Sequence, residues 1–327
     1  MSMRRMMLWL AVLLASRPVL AATQQPVERN YPSKTIRLVI PVVAGGPFDF
    51  LGRTLMQKMP NEMSLVIDNR PGAGTALGTD VVAKSAPDGY TILLTSSTHA
   101  SLPVLYKSLP YDAVKDFIPI TIIANSVGFL LAVHPGAPRT LKEFITTAKA
   151  QPGKLTYGSA GIGNASHFAA EIFNSLTGTQ TTHVPYKGIV QLMPDLFSGR
   201  IDFTFGPPTA FLPHIKAGKL WALAITAPNR WSELPEVPTM DEAGAKGVVF
   251  APWYGMWFPA ATPDQYVSRI RNEVVKALKD PEVARTFSTQ GFVPAVDSPS
   301  SAEITRKIVD EIEANRRLAA SIGLKPE

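Results

Sequence analysis

TIRLVIPVVAGGPFDFLGR, residues 35–53, decides the fold. Its first half is rich in β-branched and aliphatic residues (Ile36, Leu38, Val39, Ile40, Val42, Val43) and reads as a buried strand. Gly45 and Gly46 follow, and Asp49 then heads a segment with Leu51, Leu55 and Met59 at helical spacing. The first N–H groups of a helix have no partner inside it, and the helix dipole is positive there. Glycines let a small anion come close to those groups. The spacing does not match G-x-G-x-x-G, so the dinucleotide fingerprint is absent. Asp49 has two readings: it caps its helix and pairs with Arg53 four residues on, or it orients the glycine turn. Arg53 itself reads as structural.

The same device recurs along the chain. Strands are expected at 65–67, 90–95, 118–124 and 127–133, then at 155–158, 181–184, 201–205 and 221–225. Helical faces between them are marked by Leu77, Val81 and Val82, by Phe168, Ile172 and Leu176, and by Leu192, Leu196 and Phe197. Two capping boxes, Thr140 with Glu143 and Thr239 with Glu242, predict helix starts. Residues 253–258 are apolar and extended; Pro263 opens a helix through Tyr266, Ile270, Val274 and Leu278, and helices near 281–289 and 301–320 close the chain.

Alternating strands and helices imply an α/β fold, here in two lobes, each a mostly parallel sheet flanked by helices. The lobes are expected at 31–124 with 235–327, and at 125–234, with crossings near 123–127 and 225–239. Ligands of such sheets sit beyond the carboxyl ends of the strands. Five small-residue turns share that location: 44–49, 71–75, 95–99, 158–167 and 205–209.

Residues 1–21 read as a secretory signal, with Arg4 and Arg5 ahead of a short apolar core and Val19-Leu20-Ala21 before cleavage near Ala22. Arg4, Arg5 and Arg17 leave with it, taking the formal charge from +6 to +3. That balance does not suggest nucleic acid. The chain has no cysteine, which excludes a lipid anchor on cysteine and any disulfide framework. A soluble, periplasmic, monomeric chain is expected.

Enzyme chemistry is weakly signalled. Ser159, His167, His183 and several aspartates supply parts for an exported hydrolase, but Gly158-Ser159-Ala160-Gly161 is not the G-x-S-x-G elbow. No histidine pair has ligand spacing, so neither a metal nor a cofactor is expected. What remains is recognition of a small anion by backbone N–H groups and neutral donors: Ser96, Ser97, Thr98, Ser159, Asn164 and Ser166. Each is also a plausible cap or turn residue. His183 and Tyr186 read as core residues with one satisfied polar tip, and Trp253, Tyr254 and Trp257 as core or hinge.

The order of YPSKTIRLVIPVVAGGPFD, NRPGAGT, APDGYTILLTSSTH, AKAQPGKLTYGSAGIGNASH, HVPYKG, LPHIKAGKLWALAIT and ELPEVPTMDEAG resembles the Bug (TctC-type) family from about Tyr31 onward. These are the extracytoplasmic solute-binding proteins of tripartite tricarboxylate transporters. The resemblance implies a type II-like, two-lobed periplasmic binding protein that closes on a carboxylated solute and delivers it to inner-membrane permease subunits. It maps the site to Gly45, Gly46, Phe48 and Asp49, to Gly74, to Ser96, Ser97, Thr98 and His99, to Ser159, Gly163, Asn164 and His167, and to Tyr186, Phe205 and Gly206. Two departures stand out: Val43-Ala44 and the bulky Phe48 in the first turn, and Gly206 where many members carry an acidic residue. The second argues against amino-acid ligands. Phe48 would favour an apolar or aromatic middle, so a mono- or dicarboxylate is expected ahead of citrate-like acids, amino acids and sugars. A receptor presenting its ligand to a sensor kinase is the alternative role.

Overall fold

The computed structural model describes residues 30–297, 299–321 and 326; the expected signal segment lies outside them. The chain runs β1 (Ile36–Ile40), α1 (Pro47–Met56), β2 (Leu65–Asn69), α2 (Ala76–Ala83), β3 (Thr91–Ser96), α3 (Thr98–Leu105) and β4 (Phe117–Ser126). It then forms β5 (Leu130–Val133), α4 (Leu141–Ala150), β6 (Thr156–Ser159), α5 (Ala165–Thr177), β7 (Thr182–Pro185), α6 (Ile189–Phe197), β8 (Phe203–Gly206), α7 (Pro208–Lys216) and β9 (Trp221–Ile225). Last come β10 (Trp253–Pro259), α8 (Asp264–Leu278), α9 (Pro281–Ser288), β11 (Phe292–Pro294) and α10 (Ser301–Ser321).

Two sheets result, β11-β4-β10-β3-β1-β2 and β7-β6-β8-β5-β9. Both are mixed: most strands of each share one direction, as expected, with β10 and β11 reversed in the first and β5 in the second. In the first, β10 returns from the second sheet and enters antiparallel between β3 and β4, with Tyr254 opposite both Ser96 and Ala124. In the second, β5 lies antiparallel to both β8 and β9. A strand that arrives from the opposite sheet enters from the far end, so it cannot join parallel without a further crossover. The strands on either side keep one direction, so their carboxyl ends still gather on one edge.

Alternation along β1 explains its fixed position. Ile36, Leu38 and Ile40 face α1, α8 and α9, packing with Leu51, Leu55, Ile270 and Phe287. Val39 faces the other way, into a core completed by Trp257 and the Ile304, Ile308, Ile312 stripe of α10. A side chain such as Leu51, wholly buried, contributes about 2 kcal/mol by leaving water. The second sheet is covered likewise, by Phe144 and Phe173 on one face and by Leu192, Leu196 and Phe211 on the other.

The first capping box forms by half, Glu143 N donating to Thr140 Oγ1 at 3.2 Å at the start of α4, the helix expected there. The second makes both reciprocal bonds, Glu242 N to Thr239 Oγ1 and Thr239 N to Glu242 Oε2, but closes only a turn. Gly244 and Gly247, both at positive φ, redirect the backbone before a helix can propagate.

Candidate functional site

The β1–α1 turn is built around Asp49, which is buried at 5% exposure. Its carboxylate accepts Gly45 N–H at 2.9 Å and Asn69 Nδ2 at 3.1 Å, while Asn69 Nδ2 also reaches Val42 O. Gly45 sits at φ 85, where other residues are strained. Arg53 approaches the same carboxylate at 3.7 Å but is 62% exposed. Asp49 therefore orients the glycine turn, with Arg53 as an outer partner. The helix it precedes has Gly46 as its N-cap, no side-chain cap, and Pro47 in its first turn, so the next N–H groups stay free.

The β6–α5 turn is built differently. Asn164 caps α5, its Oδ1 accepting both the N–H and the hydroxyl of Ser166 at 3.1 Å. Ser166 Oγ accepts Ala160 N–H at 2.9 Å. Ser159 Oγ accepts Gly161 N–H at 3.1 Å and lies 2.6 Å from His183 Nε2. His183 stacks on Tyr157 and on His167, at 4.7 and 4.2 Å between centroids, and His167 Nδ1 accepts Gly163 N–H. Burial holds both imidazoles neutral, lowering His167 to about 3, with help from His183, and His183 to about 4. The serine–histidine contact has the look of a nucleophile and its base, but Ser159 is fully buried and does not line the cleft. A base with so low a pKa would also activate it poorly.

Loops from the two sheets meet across the space between them. Ala165 N–H donates to Thr98 Oγ1 at 3.2 Å, and Ser101 Oγ donates to Gly163 O at 2.9 Å. Contact is close enough to demand glycine: a Cβ on Gly74 would lie 1.8 Å from Ile162 O, and one on Gly188 would lie 2.5 Å from Val43 Cγ2.

The cleft between the two sheets has about 470 Å³ of empty space, the open solvent at its mouth included. The first sheet's side supplies Val42, Val43, Pro47, Phe48, Ser96 and Tyr254. The other side supplies Phe129, Asn164, Ser166, Ile189, Val190 and Pro207. Among the described residues, none that lines it carries a charge. Besides α1, two helices open here without a side-chain cap: α6 after Gly188 and α7 after Pro207.

Of the sequence-predicted residues, Gly46, Phe48, Ser96 and Asn164 line this cleft, with Gly45 and Asp49 directly behind. Phe48 does both things open to it, lining the cleft while packing edge-to-face on Tyr254 at 5.2 Å. Gly74 and Tyr186 line a separate, more open depression, where Tyr186 donates to Asp195. Ser159, Gly163 and His167 lie behind the wall.

Several others fall outside. His99 is a core residue: Nε2 meets Ala113 O at 2.7 Å, its ring lies against Phe117 and Trp257, and burial lowers it to about 4. Ser97 is the N-cap of α3, and Thr98 joins Ser96 to the opposite loop. Phe205 is fully buried, and a Cβ on Gly206 would sit 2.7 Å from the Phe211 ring, so no acidic side chain fits there. Sequence reasoning missed Gly188, Ile189, Val190 and Phe129, placed Pro207 only within the 205–209 turn, and read Tyr254 as core or hinge.

Two mixed sheets with their strand-end loops closed over a cleft of helix N-termini define a bilobal solute-binding protein. The chain matches the tripartite tricarboxylate transporter family receptor, TctC, over residues 52–324, and it belongs to that family. It is 32% identical over 333 residues to protein BugT of Bordetella pertussis, covering 99% of each. An R. palustris protein solved with adipate superposes with a TM-score of 0.86 at 31% identity, over 91% of this chain and 100% of that one. MatC from Rhodopseudomonas palustris with bound malate gives 0.83 at 27% identity, over 88% and 99%. The chain is thus a periplasmic solute-binding protein of the TctC type. None of the described helices is long and apolar enough to cross a membrane.

Proposed function

We propose that this protein closes on a small carboxylate-bearing solute and presents it to the membrane subunits of a tripartite tricarboxylate transporter. One observation carries the reading: α1 and α6 turn uncapped N-termini toward an apolar cleft whose described lining has no charge of its own. Free N–H groups at the positive end of a helix dipole suit an anion without an arginine clamp. Adipate and malate, held by the two similar proteins, are anions of this kind. The apolar walls favour a hydrocarbon middle, and the crowding at Gly206 leaves no carboxylate for an amino-acid ammonium.

The lobes in this reading are 31–126 with 251–327, and 127–250. β4 stays paired through Ser126, and Phe250 N–H is held by Thr226 O, which supports a later second crossing than the turn chemistry suggested. The receptor works as a monomer and closes by hinge motion.

A melting-temperature screen over dicarboxylates, aromatic acids, amino acids and neutral sugars tests the reading. Carboxylates are expected to stabilise the protein by about 2.7 kcal/mol at a hundredfold excess over Kd. Stabilisation by a neutral sugar, with none by any carboxylate, would overturn it.

A further inference from the structure

Tyr254, which the sequence reads as core or hinge, is only partly explained by packing. It is 2% exposed, and its ring meets Phe48 and Phe292 edge-on. Its hydroxyl makes no hydrogen bond among the described residues, yet the residue borders the cleft. Although the residue is 2% exposed, its hydroxyl is not one of the fully buried polar atoms left without a partner, so the oxygen keeps open surface at the cleft it lines, where a ligand can supply the acceptor. Burial raises the phenol well above its ordinary value, so it stays a neutral donor.

The serine hydroxyls at the cleft are occupied. Ser96 Oγ donates to Thr98 Oγ1 and accepts Thr98 N–H. Ser166 Oγ donates to Asn164 and accepts from Ala160. Asn164 has its oxygen taken up twice by Ser166, which leaves its Nδ2 as the half available to a ligand. Two side-chain donors therefore remain, Tyr254 on the first sheet and Asn164 on the second, with apolar wall between.

We propose that the Tyr254 hydroxyl donates to a second acceptor on the bound solute, so that the cleft selects dicarboxylates over monocarboxylates of equal length. This rests on the carboxylate reading above and goes further by assigning the residue that reads the far end.

The experiment measures Kd by calorimetry for succinate, glutarate, adipate and pimelate, each against the monocarboxylate of the same carbon count, on wild type and Tyr254→Phe. Wild type is expected to prefer one dicarboxylate over its partner by about tenfold or more, and Tyr254→Phe to erase most of that ratio while the monocarboxylate Kd stays put. A tyrosine difference band on adding that dicarboxylate, absent in Tyr254→Phe, is the matching spectroscopic sign. An unchanged ratio, a parallel loss for both acids, or a wild-type preference for monocarboxylates at every length overturns the assignment while leaving carboxylate capture intact. Failure of every acid to bind wild type removes the carboxylate reading itself, and this assignment with it. Tyr254→Phe keeps the ring contacts to Phe48 and Phe292; its unliganded melting temperature, compared with wild type, reports whether folding has been disturbed.

Discussion

The two glycine turns that face each other across the cleft are built by opposite means. The β1–α1 turn is almost wholly apolar; one carboxylate, Asp49, ties it down from behind, and the helix it opens has no side-chain cap. The β6–α5 turn is crowded with Ser159, Asn164, Ser166 and His167, and nearly every one of those groups bonds to the turn itself. The contrast reverses a natural assumption. Hydroxyls and amides at strand ends advertise ligand donors in a sequence, but side chains that short reach their own backbone first. The free donors are at the turn with the fewest polar side chains, because nothing local competes for its N–H groups.

If the polar turn serves stability, acid should act on it most strongly. His167 and His183 are held at about 3 and about 4 in the folded chain, below the ordinary 6.5. The unfolded chain therefore takes up protons that the folded one refuses, so stability is full above pH 6.5 and is lost as pH falls toward the folded values. For the deeply buried His167 the loss is on the order of a few kcal/mol. His99, also lowered to about 4, adds in the same direction. Melting temperatures between neutral pH and pH 4 should show the decline, and His183→Gln should make it shallower. An equally steep decline in that variant would detach acid lability from the stacked pair.

Asp49→Ala attacks the opposite turn. It removes the acceptor of Gly45 N–H and Asn69 Nδ2, so the glycines lose the geometry that aims α1 at the cleft. Carboxylate affinity should fall by about a hundredfold, well beyond what the modest drop in melting temperature would account for. Unchanged affinity would show that the turn holds itself without its carboxylate.

Ser159→Ala should give the mirror result. The hydroxyl serves Gly161 and His183 and does not line the cleft, so about 1–2 kcal/mol of stability is lost while affinity for the same acid stays within about threefold. Ester hydrolysis by wild type that vanishes in this variant would revive the hydrolase.

The same contrast explains what the sequence could and could not reveal. Strand–glycine–helix order was legible because hydrophobic runs and turn residues are local signals, and Gly46, Phe48, Ser96 and Asn164 reach the cleft as that order implies. Two helices were not legible. α3 carries Pro103 and a polar start, and α7 carries Pro208 and Pro213, so neither shows clean helical composition. Val190 and Ile189 escaped because an uncapped helix start has no polar residue to mark it. Tyr254 escaped for another reason: β10 is buried along its whole length, so periodicity says nothing about a single hydroxyl at its edge. His99 sits in a polar run at a strand end, and only the packing of Phe117 and Trp257 reveals it as core.

The smallest expected effect is the sharpest check on the first turn. Arg53 is the obvious electrostatic partner of Asp49, four residues along the helix and 3.7 Å away. An account based on the ion pair would have Arg53→Ala undo the site nearly as thoroughly as Asp49→Ala. The geometry says otherwise. Arg53 is 62% exposed, so solvent screens the pair and the contribution is about half a kcal/mol or less. The carboxylate keeps its bonds to Gly45 N–H at 2.9 Å and Asn69 Nδ2 at 3.1 Å when the guanidinium is gone. Affinity for a bound carboxylate should therefore move by less than about twofold, and added salt should have little effect on the difference. A loss approaching that of Asp49→Ala would mean that the turn is held by charge from outside, not by its own backbone, and that the two turns differ less than their hydrogen bonds suggest.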